Sequence, residues 1–272
     1  MMNLAQTNFF LILILFLYSV NAAANFKAVE SAYKEYVGPG TKKCKSQKEC
    51  TSKQVCMNLP GSGSQCVKRP SRIDMTFQLP FPTSRSIVCT QSFGNLAGTH
   101  GWSSAFFALD LSTPWKEKPS EILASAPGTV YVSEGCPQPT GKPSKYTHDR
   151  CNNGWGNMIR IHHGNGIISS YSHLKEIAVK HGDRVKSGEV IGVEGGTGAA
   201  GNRHLHWDVQ KIPGGKKVVE FVLSQKALNG VSVPYSFRVK VGGKTRTIWS
   251  DDVTCVWGDM SQQPWQPVTH SK

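Results

Sequence analysis

The chain is poor in the features that would place it in several common classes. No two cysteines stand in a C-x-x-C pair, so a cysteine-ligated zinc ribbon is not expected. There is no N-x-S/T sequon, no internal repeat, and no long stretch of helical 3.6-residue periodicity. Acidic side chains are in deficit, 18 against 31 Lys and Arg, giving a formal charge of +13. The basic residues are nevertheless scattered: the densest groups, Thr41-Lys42-Lys43-Cys44-Lys45 and Gly214-Gly215-Lys216-Lys217, are short. No helix-turn-helix, RRM or basic-zipper pattern accompanies them, so a specific nucleic-acid partner is not expected. An anionic surface, including a bacterial wall with anionic polymers, is one partner the charge suits; a basic, soluble face is the plainer reading.

Long hydrophobic runs are also missing. The apolar stretch from Phe9 to Val20 is shorter than the ~20 residues a membrane-spanning helix needs. Followed by Asn21-Ala22-Ala23-Ala24, it reads as a signal peptide over residues 1–24, although residues 1–22 contain no Lys or Arg. Secretion makes disulfides the default for the eight cysteines. Cys44, Cys50, Cys56 and Cys66 crowd together and are expected to staple a small module internally. Of the remainder, Cys136–Cys151 would close a loop and Cys89–Cys255 would tie the ends of a larger domain. The expected organisation is residues 1–24 signal peptide, 25–70 Cys-rich module and linker, 71–260 main domain, and 261–272 a polar tail. Residues 25–43 allow a short helix from Phe26 to Tyr36, and Lys68-Arg69-Pro70-Ser71 reads as the linker.

From about Ile73 the pattern changes to short β-type runs broken by Gly, Pro and Asn. Gly128–Val132, Met158–His162, Gly166–Tyr171, Glu189–Val193, Trp207–Val209 and Phe237–Val241 are examples. Within this region a helix is expected only from Val218 to Leu228. The fold class is therefore all-β, an antiparallel sheet or sandwich preceded by a small disulfide-rich module. Gly196-Thr197-Gly198-Ala199-Ala200-Gly201 matches G-x-G-x-x-G literally, but no helix opens within it, so it is read as a loop and not a dinucleotide site.

The chemistry concentrates in His204-Leu205-His206. On a strand, residues i and i+2 share a face, so two imidazoles project into one site. Imidazole serves as zinc ligand and as general acid or base. Two surface histidines on a half-exposed strand are the plain alternative. Upstream, His100 ends a Gly-containing loop, and Asp110 lies within Ala108-Leu109-Asp110-Leu111, where a carboxylate is costly to bury without a partner or metal. His173 closes the alternating run Ser170-Tyr171-Ser172-His173.

Taken in order, these pieces resemble the lysostaphin-type zinc endopeptidases, peptidase family M23. The resemblance covers about residues 85 to 210. It rests on His100 and Asp110, Gly154-Trp155-Gly156-Asn157, His163-Gly164-Asn165-Gly166, Tyr171-Ser172-His173-Leu174, Gly182 to Gly192, Gly195 to Gly198, and His204-Leu205-His206. It implies that His100, Asp110 and His206 bind one zinc ion with an open fourth position. It implies that His173 and His204 act beside the metal as catalytic residues without binding it. It further implies a secreted, extracellular zinc metalloendopeptidase that hydrolyses peptide cross-links of bacterial peptidoglycan, or Gly-rich peptides, with Gly-Gly bonds as plausible targets. A non-catalytic zinc-containing binding or signalling protein of the same fold is the alternative, and an incidental polyanion binder a third. His162 and His163 are read as structural; His148, His181 and His270 receive no role. Three departures stand out. The insert between His100 and Asp110 is long, as in the staphylolysin-like branch. Arg203 occupies a position commonly Pro, which bears on the substrate groove beside the metal. The Cys-rich module lies outside the family's common core.

Overall fold

The computed structural model describes residues 38, 40–59, 62–96, 98–139, 150–224, 230–241, 244–253 and 255. The leader, the helix expected at Phe26–Tyr36, the polar tail, His148 and His270 lie outside them. The strands are β1 (Gln54–Leu59), β2 (Gly63–Lys68), β3 (Thr76–Gln78), β4 (Val88–Gln91), β5 (Leu109–Ser112), β6 (Glu121–Leu123), β7 (Gly128–Ser133) and β8 (Met158–Gly164). They continue as β9 (Ile167–Ser172), β10 (Glu176–Ile177), β11 (Arg184–Val185), β12 (Val190–Val193), β13 (Leu205–Lys211), β14 (Val231–Ser232), β15 (Ser236–Val241) and β16 (Lys244–Trp249). Helix α1 (Lys216–Ser224) starts two residues before the expected position. No described helix is long and apolar enough to cross a membrane.

The fold is all-β, as expected. An antiparallel sheet runs in the order β11-β7-β8-β9-β13-β5-β4, with β14 added against β13. Two three-stranded sheets, β10-β12-β6 and β16-β15-β3, cover part of it. Alternation along β13 explains the layering. Leu205, Trp207 and Val209 face inward to a core shared with Ile122 and Ile191 of one small sheet and Phe77 and Phe237 of the other. Trp207 packs edge-on against Tyr235 and Phe237, with centroids 5.0 and 5.4 Å apart, a favoured aromatic geometry. His206, Asp208 and Gln210 point to the opposite face. That face is roofed by the segment before β5: Gln210 Nε2 donates to Ser104 O, Phe107 N–H donates to Ser232 Oγ, and Ser232 Oγ donates to Asp208 Oδ1.

All three expected groupings of cysteines appear, as four disulfides. Cys136–Cys151 closes a loop and Cys89–Cys255 joins the first strand of the main sheet to the far end of the described chain. Within the Cys-rich segment the pairs are Cys44–Cys56 and Cys50–Cys66. They staple the β1–β2 hairpin. The stretch read as a linker is firmly held: Arg69 N–H donates to Lys53 O, and the Arg69 guanidinium pairs with the nearly buried Asp251 carboxylate at 2.7 Å.

Candidate metal centre and its cleft

The ladder between β5 and β13 sets the centre. Asp110 stands directly opposite His206, and on the other side of β13 His206 faces Ser172 at the end of β9. Directly opposed residues project to one face, so Asp110 and His206 meet. His173, the residue after β9, is brought alongside. His204 precedes β13 and is bridged to Gly195; its two-residue spacing keeps it on the His206 face. His100 arrives from above, on a 3-10 turn over Thr99–Gly101.

His100 Nε2, Asp110 Oδ1 and His206 Nδ1 form a triangle with sides of 3.1, 2.9 and 3.2 Å. All three residues are buried. Bonds of roughly 2.0–2.1 Å from a tetrahedral zinc to N and O ligands require ligand atoms about 3.3 Å apart, so the triangle has the size of such a face. The His100 tautomer agrees, while the buried His206 Nε2 has no hydrogen-bond partner. His100 Nδ1–H donates to Ser92 O at 3.0 Å, which turns the Nε2 lone pair toward Asp110. Two lone pairs 3.1 Å apart repel unless a proton or a cation lies between them. A backbone carbonyl on the far nitrogen is also the usual outer support of a ligating histidine. These residues fit a zinc ion.

The electrostatics run the same way. Burial pushes the Asp110 carboxyl up, but the imidazoles of His100 and His204, with hydrogen bonds from His100 and His206, hold it well below the usual carboxylate range. Burial lowers His100, but the Asp110 charge together with the hydrogen bonds to Asp110 and to Ser92 O outweighs it, leaving a net rise. A field that favours a proton at this point favours a divalent cation. His206 is lowered, chiefly by burial.

His173 and His204 stand beside the triangle. Their rings are 4.7 Å apart, and His204 Nε2 is 3.8 Å from Asp110 Oδ1. His173 Nδ1–H donates to Thr197 O at 2.8 Å, and His204 Nδ1–H donates to Asn202 O at 3.0 Å. Each Nε2 is thereby left as the free lone pair. His173 has φ of +65°, a left-handed conformation unusual for a non-glycine residue. It is maintained by the His173 N–H bond to Trp155 O at 3.0 Å. Burial, and then the nearby charges of His204 and His206, lower the His173 imidazole to about 3.

Asp110, His173, His204 and His206 open onto a cleft of about 560 Å³, walled by Gln91 and Thr99 on one side and by Asn153, Trp155, Ala199 and Asn202 on the other. The glycine-rich segment is a loop, as the absence of a following helix implied, and through Ala199 and Gly201 it forms a wall of this cleft. Its close fit depends on glycine: at Gly198, φ +74°, a Cβ would lie 2.4 Å from Gly156 N. Trp155 lies with its ring 5.0 Å from that of His206.

The sequence reading did not single out Ser92, Thr197 and Asn202, which act through main-chain carbonyls and leave no side-chain signature. It also passed over Asp208, buried two positions after His206. Burial pushes the Asp208 carboxyl up to about 7, against the hydrogen bond from Ser232. Arg203, expected to bear on the groove, is not among the residues that line it. Its guanidinium turns away and donates to Glu117 O, Thr113 O and Pro114 O. Its Nε stands 3.6 Å from Glu194, a fully buried carboxylate that accepts from Ser112 Oγ, Thr113 N–H and Ser120 N–H. The carbonyls presented by the 113–117 segment, which proline could not bond, draw the arginine in. His163 is structural as expected, its Nδ1–H donating to Pro127 O and its Nε2 paired with Ser169 Oγ. His162 accepts from Gly166 N–H at the β8–β9 turn, and His181 packs edge-on against Tyr131.

Comparison with known proteins agrees with this arrangement. Residues 108–220 match the family described as peptidase family M23. Asp110, His173, His204 and His206 fall inside that segment, and His100 precedes it. Peptidoglycan DD-endopeptidase ShyC of Vibrio cholerae is 38% identical over 90 residues, 30% of this chain and 19% of that protein. Glycyl-glycine endopeptidase ALE-1 of Staphylococcus capitis is 44% identical over 57 residues, 21% of this chain and 16% of that protein. The chain thus spans less than a fifth of either relative's length. Among solved structures, the catalytic domain of lysostaphin from Staphylococcus simulans aligns over 49% of this chain and 86% of that one, at 23% identity and a TM-score of 0.34. Over residues 108–220, then, this chain is similar to peptidase family M23.

Proposed function

We propose that the chain is a secreted zinc-dependent endopeptidase that hydrolyses peptide cross-links of bacterial peptidoglycan. The observation that supports this reading is the convergence of His100 Nε2, Asp110 Oδ1 and His206 Nδ1 beside a cleft that also holds the imidazoles of His173 and His204. His100, Asp110 and His206 would hold the ion. A zinc ion in that setting supplies Lewis acidity toward a water and the scissile carbonyl.

The remaining chemistry belongs to the chain. With Nδ1–H committed to Asn202 O and Thr197 O, His204 and His173 each present Nε2 to the cleft. There an imidazole can accept the proton of the attacking water, and its protonated form can stabilise the oxyanion or return the proton to the leaving amine. Carbonyl anchors keep both rings from rotating, which preserves their orientation for an extended substrate lying between the cleft walls. No covalent intermediate with the chain is needed, because among the described residues no nucleophilic side chain is paired with a base in the cleft.

Gly-Gly bonds in wall cross-bridges are the proposed targets; the named activity of the Staphylococcus capitis relative supports this choice. The disulfides support an extracellular or periplasmic setting. The net charge of +13 suits an anionic wall.

The test is turbidity clearing of Gly-bridged and directly cross-linked walls, with and without a chelator, beside the His204→Ala variant. Chelator-sensitive clearing by the native chain, and loss of clearing with retained zinc in His204→Ala, are expected. A zinc-loaded native chain that cleaves neither wall nor oligoglycine would overturn the enzyme reading in favour of a non-catalytic binding protein. Loss of zinc in His204→Ala would overturn the division between ligand and catalyst.

A further inference from the structure

The turn that carries His100 is built against the disulfide hairpin on both sides. Ahead of it, Leu96 packs on the cluster formed by Cys44, Cys56, Cys66 and Cys50. Behind it, Phe106 and Phe107 share a fully buried cluster with Val55, Met57 and Val67 of the hairpin. Asn58, near the end of β1, spans the two sides. Its Nδ2 donates to Leu96 O at 3.3 Å, its main-chain O accepts from Ser103 N–H at 3.2 Å, and it forms a bridge with Trp102. Ser64 Oγ, across the hairpin, donates to Asn58 Oδ1 and fixes which way the amide faces. Gly101, beside His100, lies so close that an added Cβ would be 2.8 Å from Asn58 Nδ2 and 2.7 Å from Leu96 Cα.

We propose that Asn58 is a positioning residue for the metal centre: through it, the Cys-rich hairpin holds the His100 turn at the height at which His100 Nε2 meets Asp110 and His206. The proposal rests on His100 being a zinc ligand. The physical argument is one of order. The His100 turn is a single 3-10 turn with no side-chain cap and no place in a sheet ladder. Such a segment has little rigidity of its own, so its position must come from what it packs against. Asp110 and His206 need no such help, because the ladder between β5 and β13 sets them. The hairpin is thereby a part of the site and not a detachable cover.

The experiment uses the full disulfide-bonded chain and measures zinc affinity by chelator competition, the visible spectrum of the Co2+-loaded protein, and unfolding of the metal-free form. Asn58→Asp keeps size and shape but sets a carboxylate oxygen against Leu96 O. It is expected to weaken zinc about 10–100-fold, the range for loss of outer support to a ligand, and to alter the Co2+ spectrum. Ser64→Ala, which only releases the Asn58 amide, is expected to do the same more weakly. Val222→Ala, a cavity beneath α1 far from the hairpin, should lower stability and leave zinc affinity unchanged. The positioning role is overturned if the native chain binds zinc and both hairpin variants bind it equally well, or if Val222→Ala weakens zinc as much as Asn58→Asp does. A native chain that binds no zinc would instead overturn the ligand assignment beneath it.

Discussion

Asp110 and His206 occupy directly opposed positions on neighbouring antiparallel strands, with Asp110 Oδ1 2.9 Å from His206 Nδ1. The pair is set by strand register, and a register slip of one residue would send every side chain of β13 to the other face. Asp110→Asn keeps the ladder and the volume but removes the charge. It should lower zinc affinity by more than the roughly 10–100-fold typical of losing an outer-shell partner, with far-UV circular dichroism unchanged. Zinc content after dialysis against a weak chelator measures this. Full retention of the ion would remove Asp110 from the ligand set.

The left-handed backbone at His173 carries its own signature. A non-glycine residue there costs about 1–2 kcal/mol relative to right-handed geometry. His173→Gly and His173→Ala both delete the imidazole, so both should abolish hydrolysis. The glycine variant is nevertheless expected to be the more stable by about 1 kcal/mol, the reverse of the usual order. Denaturant midpoints decide it; an alanine variant ahead of glycine would contradict the +65° conformation.

Glu194 binds together three segments behind the site, accepting from Ser112, Thr113 and Ser120 while Arg203 stands beside it. Glu194→Ala strands these donors and the buried guanidinium together, and a loss of about 3–5 kcal/mol is expected. Glu194→Ala combined with Arg203→Ala should cost less than the sum of the single changes, because the two are coupled. Strict additivity in unfolding measurements would show that the pair does not interact.

His163 gives the fold a pH dependence. Burial lowers its imidazole to about 4, from an ordinary value near 6.5. The unfolded chain therefore binds more protons between these values, and stability rises with pH across the window. The contribution is complete above about pH 6.5 and is lost as pH falls through about 4. His163→Gln, which does not titrate, should show a smaller stability difference between pH 7 and pH 4.5 than the native chain. An identical difference would assign the acid sensitivity to other groups.

Much of this was legible from local pattern. The alternation of Leu205-His206-Trp207-Asp208-Val209 is a two-residue period, and it correctly foretold a strand with apolar and polar faces. Asp110 among apolar neighbours signalled a buried carboxylate with a partner. Cys136–Cys151 and Cys89–Cys255 are the pairings that position favours, although sequence alone leaves the connectivity open and the fold decides it. The direction of the Arg203 side chain was not legible, because it depends on which acceptors surround it, and those belong to a segment ninety residues away.

What the sequence by itself determined is the set of chemical groups: the imidazoles, the carboxylate, the strand periods and the cysteines that can cross-link. These are local properties, since φ/ψ preference and alternation act over a few residues. Only the tertiary structure decided that Asp110 opposes His206, that Ser92, Thr197 and Asn202 carbonyls choose the tautomers, and that Asn58 of a remote hairpin braces the His100 turn. Register, carbonyl direction and loop docking arise from contacts between distant segments, and no single stretch of chain encodes them.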